Sequence, residues 1–174
     1  MNEHDYETIT QSCISSNNPE SVLITGKNAS RELLKLYDKI RQEYNANWVD
    51  DIKNYEDLLD KMLNGLGNGK ELIKKLPSKE NKSFEFYCLF DKLVKSSKTR
   101  LHLFMPDIDK VFYLFDVKDN KRINNTLRSV WQESGNLAVY GSAEDPTSEE
   151  FVSTLGEYNF PFYADNFRVF SVVE

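Results

Sequence analysis

Short apolar runs rich in β-branched or aromatic residues recur along this chain: SVLIT at 21–25, LHLFM at 101–105, KVFYLFDV at 110–117, LAVYG at 137–141 and FRVFSVV at 167–173. Their length and composition suit strands. Helical stretches lie between most of them, so the predicted fold is α/β (mixed α+β): about five strands in a mixed sheet with helices packed on it, and a helix-rich N-terminal half. A hairpin around the turn 106–109 is the simplest link between the second and third runs. The alternation after Val111 leaves room for crossovers and some parallel pairing.

Residues 1–20 are polar and without period, and are expected to be a loose lead-in with one short turn of helix at most. Residues 21–174 then form a single domain. No linker rich in Gly, Ser or Pro interrupts them, and a division near residue 99 is the less favoured alternative.

Ser30 is placed to cap a helix carrying Leu33, Tyr37, Ile40 and Tyr44, with Leu34 broadening the stripe. The clearest helical period runs from 47 to 64 through Trp48, Ile52, Tyr55, Leu59 and Met62, and it puts Asp50, Asp57, Asp60 and Lys53 on the outer side. Gly65, Gly67 and Gly69 end that helix, and a short helical piece at 71–76 stops at Pro77. Residues 83–94 fit both periods, and length favours helix. Further helices are expected at about 120–134 and after the capping-box pair Thr147 and Glu150.

The 174 residues hold 28 acids and 22 bases, a formal net charge of −6. The balance is −5 over residues 1–66, +5 over 67–100 and −6 over 101–174. An acidic surface repels nucleic acid at long range, so direct nucleic-acid binding is disfavoured, with the lysine-rich stretch 70–100 its one route. The sequence shows neither a secretory signal nor an apolar run of the roughly 18 residues a membrane span requires, and an intracellular, cytoplasmic location is expected. Cys13 and Cys88 have no metal-like or redox-like spacing and read as reduced thiols.

Motifs with chemistry in them are incomplete. The turn Gly65–Lys70 follows a helix, whereas a phosphate cradle follows a strand; it resembles the core of Fic-type AMP transferases, but Met62 stands where the catalytic His would be. VLITGKNAS at 22–30 offers a strand, Gly, Lys and a helix start, yet lacks the first glycine of a Walker loop, with Asn28 in place of its Ser or Thr. A strand turning into a capped helix accounts for it. YLFDVKDNK at 113–121 with LAVYGS resembles haloacid dehalogenase-like phosphatases, but Lys118 occupies the place of their second acid. Asp107, Asp109, Asp116 and Asp119 are oxygen donors suited to a hard cation, although Asp in turns is ordinary. No cofactor and no metal is expected.

The order of VLITG, a helix, Tyr44–Asp50 and an acidic helix is similar to the start of barstar-type ribonuclease inhibitors over about a third of the chain. The net charge, the incomplete catalytic motifs and the acidic outer side of the helix at 47–64 make the principal expectation a non-catalytic inhibitor or immunity-type (antitoxin, anti-defence) protein. Asp50, Asp57, Asp60, Lys53 and Asn54 would bind a basic partner such as a nuclease. The alternative is a small enzyme or nucleotide- or small-molecule-binding domain whose pocket lies at the strand ends, lined by Asp116, Ser142 and Asp145.

Overall fold

In the computed structural model the described residues are 1–15, 21–64, 71, 82–111, 125, 129–130, 135–145 and 167–172. Five strands, β1 (Ser21–Thr25), β2 (Asn45–Trp48), β3 (Leu101–Met105), β4 (Leu137–Ala143) and β5 (Phe167–Ser171), form one sheet in the order β2-β3-β4-β1-β5. Every neighbouring pair is parallel. All five strands therefore end at the same edge, with Thr25 beside Ala143 and Ser171, and Met105 beside Gly141.

Parallel strands need cover on both faces, and side chains alternate between the two. Leu101, Leu103, Met105, Leu137 and Val139 belong to one core cluster, with Leu58, Met62, Phe90 and Val94 from α3 (Tyr55–Asn64) and α4 (Lys82–Ser96). Phe104, Ala138, Tyr140, Val22 and Ile24 belong to the other, with Ile9 from α1 (Glu3–Thr10) and Leu33, Leu36 and Ile40 from α2 (Ala29–Ile40). Each such apolar side chain contributes about 1.5–3 kcal/mol when fully buried. A one-turn helix, α5 (Ile108–Val111), follows β3.

The α/β class, a sheet of five strands and the helix-rich N-terminal half match the expectation, although the sheet is parallel and not mixed and its fifth strand is Asn45–Trp48, and residues 83–94 are helical within α4. The hairpin does not form. β3 turns at Asp107 into α5, and its sheet neighbours are β2 and β4, both parallel. The helix predicted over 47–64 is divided, because Asn45–Trp48 pairs with Leu101–Phe104 as an edge strand. Asp51 then takes a left-handed backbone (φ +48°), and α3 starts only at Tyr55. Trp48 and Ile52 shared a helical period with Leu59 by coincidence.

In α2 the buried stripe is Ala29, Leu33, Leu36 and Ile40, whereas Leu34 is 44% exposed. Residues 3–15, expected to be loose, hold α1 and a π-helical turn, Gln11–Ser15, with Ile9 and Cys13 fully buried. Asn2 and Asp5 close a capping box at the start of α1. The glycine turn 65–69, the helical piece after 71, Asp116 with most of 110–117, most of 120–134, and the helix after Thr147 lie outside the described residues. Among the described residues no helix is long and apolar enough to cross a membrane.

Candidate functional site

Among the described residues, polar side chains from several elements converge at the open end of the sheet. β1 ends at Thr25 and only Gly26, Lys27 and Asn28 separate it from α2. Gly26 has φ +109°, and a Cβ there would lie 3.1 Å from the carbonyl oxygen of Val172, so glycine alone fits. Its N–H donates to Ala143 O at 3.0 Å, while Ala29 N–H donates back to Gly26 O at 2.9 Å. Val172 N–H, just past β5, donates to Thr25 O at 2.8 Å. The turn is thus stitched to β4 on one side and β5 on the other.

Asn28 stands at the N-cap of α2, but its side chain makes no capping bond. Ser30, expected to cap, lies inside the first turn and does something else. Its Oγ donates to Asp107 Oδ1 at 2.6 Å and lies 2.8 Å from Ser142 Oγ, which accepts from Asp107 N–H at 2.9 Å. Since the single hydroxyl proton of Ser30 goes to Asp107, Ser142 must donate to Ser30. The result is a closed ring of hydrogen bonds joining α2, β4 and the end of β3. Asp107 enters it from a left-handed backbone, φ +49°.

Around this ring lies a cavity of about 170 Å³ whose wall includes Lys27, Asn28, Arg31, Lys110 and Glu144. Lys110 Nζ is 3.4 Å from Glu144 Oε2 and 3.7 Å from Asp107 Oδ1. Three cations face two carboxylates. With the partial positive charge of the α2 N-terminus, the wall favours an anion.

Directly beneath, on the same face of the sheet, the aromatic rings of Phe104 and Tyr140 stack at 4.3 Å, and Tyr37 meets both Phe104 and Trp48 at 5.3 Å. His102 Nδ1 is 2.8 Å from Tyr140 Oη, and its Nε2 has no partner among the described residues. Burial, and secondarily the Arg100 guanidinium, pushes the His102 pKa down to about 4. Burial likewise raises the Tyr140 phenol. Arg100 donates to Ile14 O and Gly135 O at 3.0 Å and to Cys13 O, holding the π-helical turn against the sheet.

The sequence-predicted site residues separate. Ser142 is fully buried in the ring, Asp145 is exposed two residues beyond β4, and Asp116 lies outside the described residues. Asp50, Asp57, Lys53 and Asn54 build the start of α3. Asn54 Oδ1 accepts from Asp57 N–H at 2.9 Å, Asp57 Oδ2 accepts from Lys53 N–H at 2.9 Å and pairs with Lys61 at 3.2 Å, and Asp50 accepts from Trp48 Nε1 at 2.8 Å. Burial raises the Asp57 pKa, but the Lys53 N–H and the Lys61 ammonium outweigh it and hold the group below its ordinary value. Asp60 is half-buried on α3. In the basic stretch, Lys95 pairs with Asp91 at 2.9 Å, and Arg100 is turned inward to the carbonyls named above.

Lys27, Arg31 and Lys110 were not singled out as a group by sequence reasoning, and Ser30 was read only as a cap. The signal that could have found Lys27 and Ser30 was the strand–Gly–Lys–helix order of VLITGKNAS.

No protein-family model matches the sequence, and no curated protein matches it. Solved structures match by fold over nearly the whole chain. A Walker-type ATPase of Pyrococcus abyssi aligns with TM-score 0.65 at 10% identity, covering 99% of this chain and 53% of that one. A chain of Drosophila ORC bound to GC-rich DNA and Cdc6 gives 0.60 at 14% identity, covering 97% and 55%. Cdc6p from Pyrobaculum aerophilum gives 0.57 at 11%, covering 97% and 44%. The chain spans about half the length of these proteins, and at such identities the likeness is one of fold. The fold is similar to the matched parts of these ORC, Cdc6 and Walker-type ATPase chains.

That finding overturns the inhibitor and immunity-type expectation. In the expected acidic face Asn54 and Asp57 serve to cap α3, and the fold is shared with chains of ORC, Cdc6 and a Walker-type ATPase. Of the two readings of the sequence, the nucleotide-binding alternative fits better.

A nucleotide's phosphates fit this site in part. Lys27, Arg31, Lys110 and the α2 N-terminus suit a phosphoryl group. The long loop that would wrap a phosphate chain is missing, since three residues join β1 to α2.

Proposed function

We propose that the chain is a nucleotide-binding domain whose ligand sits at the open end of the sheet, with a phosphoryl group between Lys27 and the N-terminus of α2. The observation that carries this reading is the position of the cation-walled cavity, at the turn between the interior strand β1 and α2 of a parallel sheet. In open α/β sheets ligands bind outside the carboxyl ends of the strands, and helix N-termini there receive anions. The fold likeness to a Walker-type ATPase supports the same choice of ligand. Lys27 would supply a point charge, and Arg31 and Lys110 would orient the anion. An intracellular location, where nucleotides are abundant, belongs to the same proposal.

Isothermal titration of the full chain with adenine and guanine nucleotides tests it. Binding of at least one nucleotide, weakened tenfold or more by Lys27→Ala, is expected. Lys27 is exposed, so the variant should fold normally. Absence of binding, or binding indifferent to Lys27, would refute the assignment.

A further inference from the structure

Resting on that reading, we infer that the crevice takes one phosphoryl group, as in a nucleoside 5′-monophosphate, and neither wraps nor hydrolyses a triphosphate. A Walker loop places eight residues, G-x-x-x-x-G-K-[ST], between strand and helix so that successive backbone N–H groups surround the phosphates. The connection here is Gly26, Lys27 and Asn28. Fully extended, three residues reach only about 10 Å, against about 28 Å for eight.

The short turn is also occupied with its own structure. Gly26 N–H and Ala29 N–H, two of the donors that would face a phosphate chain, are bonded to Ala143 O and Gly26 O. On the β5 side, the end of β1 just before the turn is tied as well, Val172 N–H donating to Thr25 O at 2.8 Å.

The pair that holds a magnesium ion for phosphoryl transfer is missing as well. In P-loop enzymes the loop Ser or Thr and a strand-end Asp do so. Here Asn28 follows Lys27, and β3 ends at Met105 with Pro106 directly after it. The first acid beyond, Asp107, accepts the Ser30 proton and lies beside Lys110, and Ser30 and Ser142 are bonded to each other in the same ring. Charge points the same way. Three cations against two carboxylates leave an excess of one, which suits a phosphomonoester better than the roughly fourfold negative chain of a triphosphate.

The test is calorimetric titration of the full chain with AMP, ADP and ATP, and with GMP, GDP and GTP, each with and without magnesium, together with a phosphate-release assay. The monophosphate is expected to bind at least as tightly as the triphosphate of the same base. Magnesium should change the triphosphate affinity by less than twofold, Lys27→Ala should weaken monophosphate binding tenfold or more, and no phosphate should be released. Tenfold tighter binding of a magnesium triphosphate, or phosphate release abolished by Lys27→Ala, would overturn the inference while leaving the nucleotide reading intact. Failure of all six nucleotides to bind would overturn both.

Discussion

The two faces of the sheet are built to different rules. Under α3 and α4 the strands present Leu101, Leu103, Met105, Leu137 and Val139, a surface of aliphatic side chains and one thioether. Under α1 and α2 the same strands present His102, Phe104, Tyr140 and Ser142, with the crevice at the end of that row. The first face only packs. The second packs and also buries hydroxyls and an imidazole, each needing a partner, and carries the partly exposed Asp107 carboxylate at its open end. Function is assigned to the face that tolerates that cost.

Substitutions can break or sharpen this contrast. The largest effect is expected on the packing face: Phe90→Ala should lower unfolding stability by about 3–5 kcal/mol in urea titration, because Phe90 is fully buried. If the two faces are independent in function, nucleotide affinity at a temperature where the variant is folded should stay within twofold of the parent.

On the polar face, His102 should make the protein acid-sensitive. Its folded pKa of about 4 lies below the ordinary 6.5, so the unfolded chain binds the extra proton between those values. Stability therefore falls as the pH drops from 6.5 towards 4, by an amount on the order of 3 kcal/mol. His102→Gln should flatten that part of the stability–pH curve. An unchanged slope would show that His102 is not the group responsible.

Gly26→Ala should cost about 1–3 kcal/mol, from the left-handed backbone and the contact with Val172, and should weaken nucleotide binding by displacing the start of α2. Asp57→Ala is expected to cost about 1 kcal/mol through the lost bond to Lys53 N–H and the Lys61 pair, with nucleotide affinity unchanged. Because its folded pKa is lowered, the stability Asp57 adds is present above its ordinary 3.8 and is lost as the pH falls further. A drop in nucleotide affinity on Asp57→Ala would tie the α3 corner to the crevice and erase the distinction between them.

Sequence alone determined the chemistry of the elements. Short apolar runs marked β1, β3 and β4, because a strand buried on both faces must be short and largely apolar, and the aromatic and β-branched run at 167–173 marked β5 although it lies at the sheet edge with Val169 half exposed. The repeating apolar stripe marked α2, and length resolved 83–94 as helix, within α4. What it could not determine was pairing across distance. Asn45–Trp48 carries no strand signature, since an edge strand of four residues with Asn at two of them is held by hydrogen bonds to β3 and not by its own composition. The crevice is of the same kind. Ser30, Asp107 and Ser142 are separated by 77 and 35 positions and meet only because β3, β4 and β1 run parallel and end together. Each residue taken singly has an ordinary local explanation, as a cap, a turn or a strand end. Only the tertiary structure, by setting which strand ends are neighbours, turned them into one hydrogen-bonded ring beside Lys27.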